Sequence, residues 1–321
     1  MKARIKVLFA TLIAVMLVIF LLSQIQLSNL IKALTSLSPS CLFFGFICYL
    51  FSCLFRALRF YFLLNKEISL KDLFNVVCVH NAMNNIMPAR TGELAYIYLL
   101  SKHHNRKIGE GLATLFIARI FDLISVSILF FISFLTLEGV SSFIIKLFLP
   151  VFSFLILTVS LFIFLLHFGK SFLNTFKKIL RKLKIEERAL IAYLLRKGEE
   201  VTEFLEKIKG ERKQFFIILI FTSFGTWLFL YSMNYIIALS VGLEFSFFEI
   251  LFASTFAILT TILPIQGVGG FGTVEGGIAL GFLTIGLNKE DAIILGFIYH
   301  IVYWLYFSVL GLFGFMNLKK R

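Results

Sequence analysis

Residues 73–100 read LFNVVCVHNAMNNIMPARTGELAYIYLL, and their middle, Asn84-Asn85-Ile86-Met87-Pro88-Ala89-Arg90-Thr91-Gly92-Glu93, is too polar for a helix facing lipid. Lys66 and Lys71 precede the stretch, and Lys102, Arg106 and Lys107 follow it. Basic residues flanking a membrane segment stay on the cytoplasmic side, so this segment is expected to enter and leave on one face. Non-helical backbone at membrane depth is tolerated only when it is buried in protein or lines a watery cavity. The stretch therefore reads as a re-entrant helical hairpin, and the rest of the chain is read around it.

Six apolar runs, at 7–22, 41–64, 111–137, 143–168, 215–241 and 291–316, approach or exceed the roughly 20 residues that span hydrocarbon. The chain is 59% hydrophobic and only 15% charged, with 41 Phe in 321 residues, more apolar surface than a soluble domain of this size can bury. The alternation of a transmembrane strand is absent, so the fold class is an all-α integral membrane protein. The formal net charge of +13 clusters in the first six residues, at the hairpin flanks, through 170–213 and at Lys319-Lys320-Arg321, which places both termini in the cytoplasm. The charge thus reports topology and anionic lipid, and nucleic acid is not an expected partner. The N-terminal run, behind Lys2, Arg4 and Lys6, lacks a small-residue cleavage site and reads as a retained helix. Cys41, Cys48, Cys53 and Cys78 lie in apolar segments without metal-ligand spacing and read as packing residues.

A second interrupted stretch, 249–286, starts and ends on the external side by the same charge count. Its middle, Pro264-Ile265-Gln266-Gly267-Val268-Gly269-Gly270-Phe271-Gly272, removes a backbone donor and frees the chain from helix. It is either a re-entrant hairpin or two short spans. The order span, span, hairpin, span then occurs twice with opposite orientation, an arrangement typical of transporters built from inverted repeats. The expected architecture is six full spans plus two re-entrant hairpins in a single membrane domain, 1–321, with halves 1–140 and 141–321. A basic insert, 169–213, sits in the second half. Phe172, Leu173, Phe176, Ile179, Leu180 and Leu183 form one face there, amid Lys177, Lys178, Arg181 and Lys182, the pattern of an interfacial amphipathic helix. Residues 190–208 read as a packing helix.

Ionisable groups within spans are costly and mark functional sites by default. Arg56 and Arg59 share a face of the second span, and Arg119 and Asp122 stand at i, i+3 on the third as an intrahelical ion pair. Arg90 and Glu93 belong to the first hairpin and Glu275 to the second. His80, Asn81, Asn84 and Asn85 put a polar stripe on the helix entering Pro88, the wall of a hydrogen-bonding cavity. Gly267, Gly269 and Gly270 offer bare amides that make an anion nest; no strand precedes them, so a nucleotide loop is excluded. An Arg fork suits phosphate oxygens. His300, beside Tyr299 and Tyr303, reads as a hydrogen-bonded packing residue, and no metal or other cofactor is expected.

Asn85-Ile86-Met87-Pro88-Ala89-Arg90-Thr91-Gly92-Glu93 resembles the first signature of the lysylphosphatidylglycerol synthase transmembrane family, a flippase-like membrane domain that also occurs as stand-alone proteins. Arg119-Ile120-Phe121-Asp122 resembles the second signature, Pro264 through Phe271 the third, and Arg56-Ala57-Leu58-Arg59-Phe60 an earlier element. The resemblance runs from about residue 5 to 316. Two positions depart from it: Ala118 stands where a Glu usually precedes the second-signature Arg, and Gly272 follows Phe271 where an acid is frequent, the acid coming at Glu275. The aminoacyltransferase domain of the bifunctional enzymes is absent, so the resemblance implies translocation rather than synthesis. The expected activity is movement of an anionic or aminoacylated phospholipid, or a polyprenyl-phosphate lipid, between leaflets of the cell membrane. The competing readings are a membrane-embedded transferase acting on a lipid carrier and an accessory subunit of a lipid-modifying enzyme. Membrane lipids are the expected partners, with room for a homo-oligomer.

Overall fold

A computed structural model describes residues 2–319 apart from 88–90, 138–141, 185 and 263–267. Every regular element among them is helical, as the apolar runs require. Twelve α-helices follow in order: α1 Lys2–Leu22, α2 Leu27–Thr35, α3 Pro39–Leu63, α4 Leu70–Ile86, α5 Glu93–His104, α6 Ile108–Thr136, α7 Ser142–Lys182, α8 Ala189–Lys209, α9 Lys213–Ser240, α10 Phe247–Ile262, α11 Thr273–Thr284 and α12 Lys289–Lys319. A 3-10 turn, Val268–Gly270, precedes α11.

The punctuation is local chemistry. Pro39 opens α3, where its missing N–H costs nothing. Ser69 Oγ accepts the Asp72 amide at 3.2 Å and starts α4, and Asn105, left-handed at φ 52°, ends α5. α3, α6, α7, α9 and α12 are long and apolar enough to cross a bilayer, and the α1–α2 pair, bent by 90° at residues 23–26, brings the number to as many as six. The protein is a multi-pass membrane protein. By contrast α4, α5, α10 and α11, at 17, 12, 16 and 12 residues, rise only about 18–26 Å, short of the ~30 Å hydrocarbon core.

These four short helices are two folded-back pairs, α4 against α5 and α10 against α11. Glycine permits both closures. A Cβ at Gly92 would stand 2.3 Å from the Met83 and Asn84 backbone, and one at Gly281 would stand 2.0 Å from the Ala253 carbonyl oxygen. Small residues let helix backbones approach where packing rather than hydrophobic expulsion must hold them. The helices also pack in a matched way. α3 lies along α9; α4 lies along α12 just as α10 lies along α6. With the chain split near residue 141, the first short helix of each half thus packs on the other half's last span.

The basic insert differs from its expected form. α7 runs unbroken for 41 residues, about 60 Å, so 170–182 continues the span instead of forming a separate interfacial helix. Its support is α8, which packs against both α6 and α7 through buried Leu195, Phe204, Leu205 and Ile208, while Leu190 and Leu194 are exposed. Glu200 on α8 accepts the Gly109 amide at 2.7 Å and the Lys197 ammonium at 2.6 Å. Burial opposes its charge, but Lys197 and the Gly109 amide hold its carboxyl below the usual range.

Candidate functional site

The core of the bundle holds charge, and almost all of it is paired. Arg59 on α3 is 1% exposed; its Nη1 donates to Asp122 Oδ1 at 2.6 Å and to Ser223 Oγ at 2.8 Å, and its Nη2 donates to Asp122 Oδ2 at 3.3 Å. Trp227 Nε1 adds a donor to Asp122 Oδ1 at 2.9 Å. Arg119, one turn before Asp122 on α6, sends Nη2 to Glu93 Oε1 at 2.8 Å and stands 3.5 Å from Asp122 Oδ2. The intrahelical pair expected from spacing is therefore present but secondary, since Asp122 is held first by Arg59 and Trp227. A bidentate guanidinium–carboxylate pair with its remaining lone pairs satisfied is the arrangement that makes burial of two charges sustainable. The cluster ties α3, α5, α6 and α9 together.

Above it opens a cavity of about 170 Å³ at the centre of the bundle, lined from α3 by Arg56, from α4 by Asn81, Asn84 and Asn85, and from α6 by Arg119. The Val268–Gly270 turn contributes Gly269 and Gly270, α9 contributes Trp227, Tyr231 and Asn234, and α12 contributes Tyr299, His300 and Tyr303. The C-terminal end of α4 and the turn leading into α11, the bend of each short pair, thus border one space. Gly269, Gly270 and Gly272 take φ of 70°, 73° and 80°, a left-handed run open to glycine, which turns the chain into α11 with all three glycines buried.

Arg56 donates from Nη1 to Asn81 Oδ1. Unlike its two neighbours it has no carboxylate within 4 Å among the described residues. Among the described residues of this cluster three guanidiniums stand against two carboxylates, Glu93 and Asp122, and the one without a carboxylate, Arg56, lines the cavity. Arg56 Nε and Asn84 Oδ1 are buried without a hydrogen-bond partner among the described residues. No group of three or more His, Cys, Asp or Glu that could hold a metal ion occurs among those residues.

The residues expected from sequence separate into three sets. Arg56, Asn81, Asn84, Asn85, Arg119, Gly269 and Gly270 line the cavity. Arg59, Asp122, Glu93 and His80 do not: the first three are bound in the ion cluster, and His80, 2% exposed, lies edge-on to Tyr96. Glu275 is also withdrawn, fully buried behind the turn, where its Oε1 meets His300 Nδ1 at 2.7 Å and its Oε2 accepts the Gly272 amide at 2.8 Å. Arg90 and Gly267 lie outside the described residues, as do Pro88 and Pro264. Sequence reasoning missed Asn234, a lone amide in an apolar span; it read His300 as a hydrogen-bonded packing residue, and the structure shows it buried and hydrogen-bonded while also lining the cavity. The signal for His300 was available: His300 and Trp304 at i, i+4 put two ring N–H groups on one face of an apolar helix.

The model of the lysylphosphatidylglycerol synthase TM region matches residues 7–311. A UPF0104 membrane protein of Methanocaldococcus jannaschii is 29% identical over 194 residues, covering 60% of this chain and 75% of its own. No solved structure matches the chain. With residues 7–311 matched, the chain belongs to the lysylphosphatidylglycerol synthase transmembrane-region family.

Proposed function

We propose that the protein is a flippase-like translocase that moves a lipid with a phosphate-bearing headgroup between leaflets of the membrane. The observation that carries this reading is the Arg56 guanidinium, without a carboxylate partner among the described residues, on a cavity whose polar lining also includes Asn81, Asn84, Asn85, Asn234 and Tyr303 beside the paired Arg119. The bilayer already solvates the acyl chains, so the protein need lower only the cost of carrying the headgroup across hydrocarbon. Arg56 supplies the countercharge in fork geometry, and Asn81, Asn84, Asn85 and Asn234 replace water as hydrogen-bond partners. The matched packing of the two halves supports a rocking motion about the cavity, the usual behaviour of repeat-built transporters. In this reading the short pairs are re-entrant from opposite faces, the termini are cytoplasmic, and the whole chain works as one membrane domain.

The pairing of charges favours an anionic headgroup over an aminoacylated one. Glu93, the acid best placed to meet an amine, is occupied by Arg119, and Glu275 is occupied by His300. An ammonium entering the cavity would have to break one of these pairs and would meet Arg56 uncompensated. A lysyl-type lipid is accordingly the weaker candidate, and a phospholipid or polyprenyl phosphate the stronger. The test is reconstitution in liposomes carrying fluorescent lipid probes, with leaflet exchange and any chemical conversion of the probe both followed. Exchange without conversion supports translocation; conversion would favour the transferase reading, and neither would favour an accessory role.

A further inference from the structure

We infer that Glu275 and His300 form a proton-binding site that couples protonation to occupancy of the cavity by an anion; this rests on the translocation reading above. The geometry around His300 admits two hydrogen-bond patterns. Nδ1 lies 2.7 Å from Glu275 Oε1, and Nε2 lies 3.0 Å from the Gly269 carbonyl oxygen and 3.1 Å from Trp304 Nε1. Trp304 Nε1 itself stands 3.4 Å from the same carbonyl. With both ring nitrogens protonated, His300 donates to Glu275 and to Gly269, and the Trp304 N–H turns to the carbonyl. With Nε2 unprotonated, its lone pair accepts from Trp304 and faces the Gly269 oxygen, so that contact becomes repulsive and the turn must move. One proton on one nitrogen therefore decides whether His300 donates to the glycine turn, while Phe271 stays packed on His300 and Trp304.

That turn is part of the cavity wall, and the proton also changes the local charge. A carboxylate beside an imidazolium is neutral as a pair; losing the proton to solvent through the cavity leaves one negative charge, buried behind Gly269. Glu275 and His300 are 0% and 3% exposed, so little water screens that charge. The other ionisable groups bordering the space are Arg56 from α3 and Arg119 from α6, with Tyr231 from α9 and Tyr299 and Tyr303 from α12. From α4, His80 packs on Tyr96, and Cys78 meets α12 near Gly314, away from the turn. α10 carries Glu249, which accepts the Ser246 amide at the opposite end of that helix from the turn, and α11 presents only Glu275. An anion held by Arg56 is thus opposed by the deprotonated pair and tolerated by the protonated one, so anion and proton favour each other's binding by the same factor.

The experiment measures leaflet exchange of fluorescently labelled phosphatidylglycerol in proteoliposomes between about pH 5 and about pH 8. Wild type, His300→Gln and Glu275→Gln are compared with thermal unfolding as the check on folding. Glutamine keeps an N–H for the Gly269 carbonyl but cannot titrate. Wild-type exchange is expected to slow as pH rises, by at most about tenfold per unit for one proton, and to respond to an imposed pH gradient; the two variants lose both responses at whatever rate they retain. Should a variant lose exchange altogether, short-chain phosphatidylglycerol is added to purified protein in weakly buffered detergent containing a pH indicator. Wild type is expected to take up protons on binding and the variants none. Wild-type pH dependence surviving in both variants, or binding without proton uptake by wild type, overturns the proton site while leaving translocation standing. No protein-dependent exchange by wild type at any pH removes the translocation reading and this inference with it.

Discussion

Arg59 and Asp122, 63 positions apart in the chain, meet as a bidentate pair with 1% and 5% of their side chains exposed. Their union is what brings α3 to α6 and fixes the floor beneath the cavity. Breaking such a pair strands a buried charge, which costs about 3–5 kcal/mol, whereas replacing both partners by apolar residues of similar size is far milder. Asp122→Ala should therefore lower the thermal unfolding temperature in detergent markedly, and Arg59→Met with Asp122→Leu should recover most of it. A double variant as unstable as the single one would show that the pair is not an isolated structural unit.

Glu93 is a countercharge to Arg119 in this structure, not a free acid. Glu93→Gln should release the guanidinium toward the cavity and leave anionic probes bound at least as tightly as before, by a factor of a few. Binding to liposomes doped with phosphatidylglycerol, or with its lysyl ester, separates the possibilities. Selective loss of the lysyl ester would mean that Glu93 meets a headgroup amine, contrary to the pairing seen here.

Gly281 closes α11 on α10, and its missing side chain leaves no room for even a methyl group beside the Ala253 carbonyl oxygen. Gly281→Ala must push two backbones apart, and overpacking of this kind costs typically 1–3 kcal/mol. The expected result is a lower unfolding temperature. Gly276, whose added Cβ would meet nothing within 4 Å, should accept alanine with little change, and equal losses at the two positions would contradict the close-packing account.

Glu200 links α8 to the start of α6. Its carboxyl is held below the usual range in the folded protein, so it favours docking of α8 at pH above the unfolded carboxylate range. That contribution is lost as pH falls through the depressed folded value. Amide exchange in α8 and the first turn of α6 should accordingly rise on acidification, and Glu200→Gln should show raised exchange already at neutral pH. An acid response unaltered by the substitution would assign it to another group.

The spans were legible because lipid demands long apolar runs, and α3, α6, α9 and α12 lie within a few residues of where hydropathy put them. The amide stripe at Asn81, Asn84 and Asn85 was legible for a related reason: polar groups at helical spacing in an apolar context need a partner or a cavity, and here they have a cavity. What spacing could not reveal was who pairs with whom. The i, i+3 relation of Arg119 and Asp122 is visible in the chain, but the dominant partner of Asp122 arrives from α3 and that of Arg119 from α5. Glu275 finds His300 25 positions away through the folding back of α11 on α12, and no local signal encodes that contact. The unbroken length of α7 was hidden as well, because the apolar run stops near residue 168 while the helix is carried on by packing with α8.

Arg56, which has no carboxylate partner among the described residues, is the group proposed to hold the lipid phosphate during its passage across the bilayer. That role is tested most directly by leaflet exchange of labelled phosphatidylglycerol in proteoliposomes, comparing wild type with Arg56→Ala at matched protein incorporation. Losing a charge-assisted contact is worth roughly 1.5–3 kcal/mol, so the variant should be slower by about ten- to a hundredfold, with Arg56→Lys in between. Equal rates for wild type and Arg56→Ala would contradict the account.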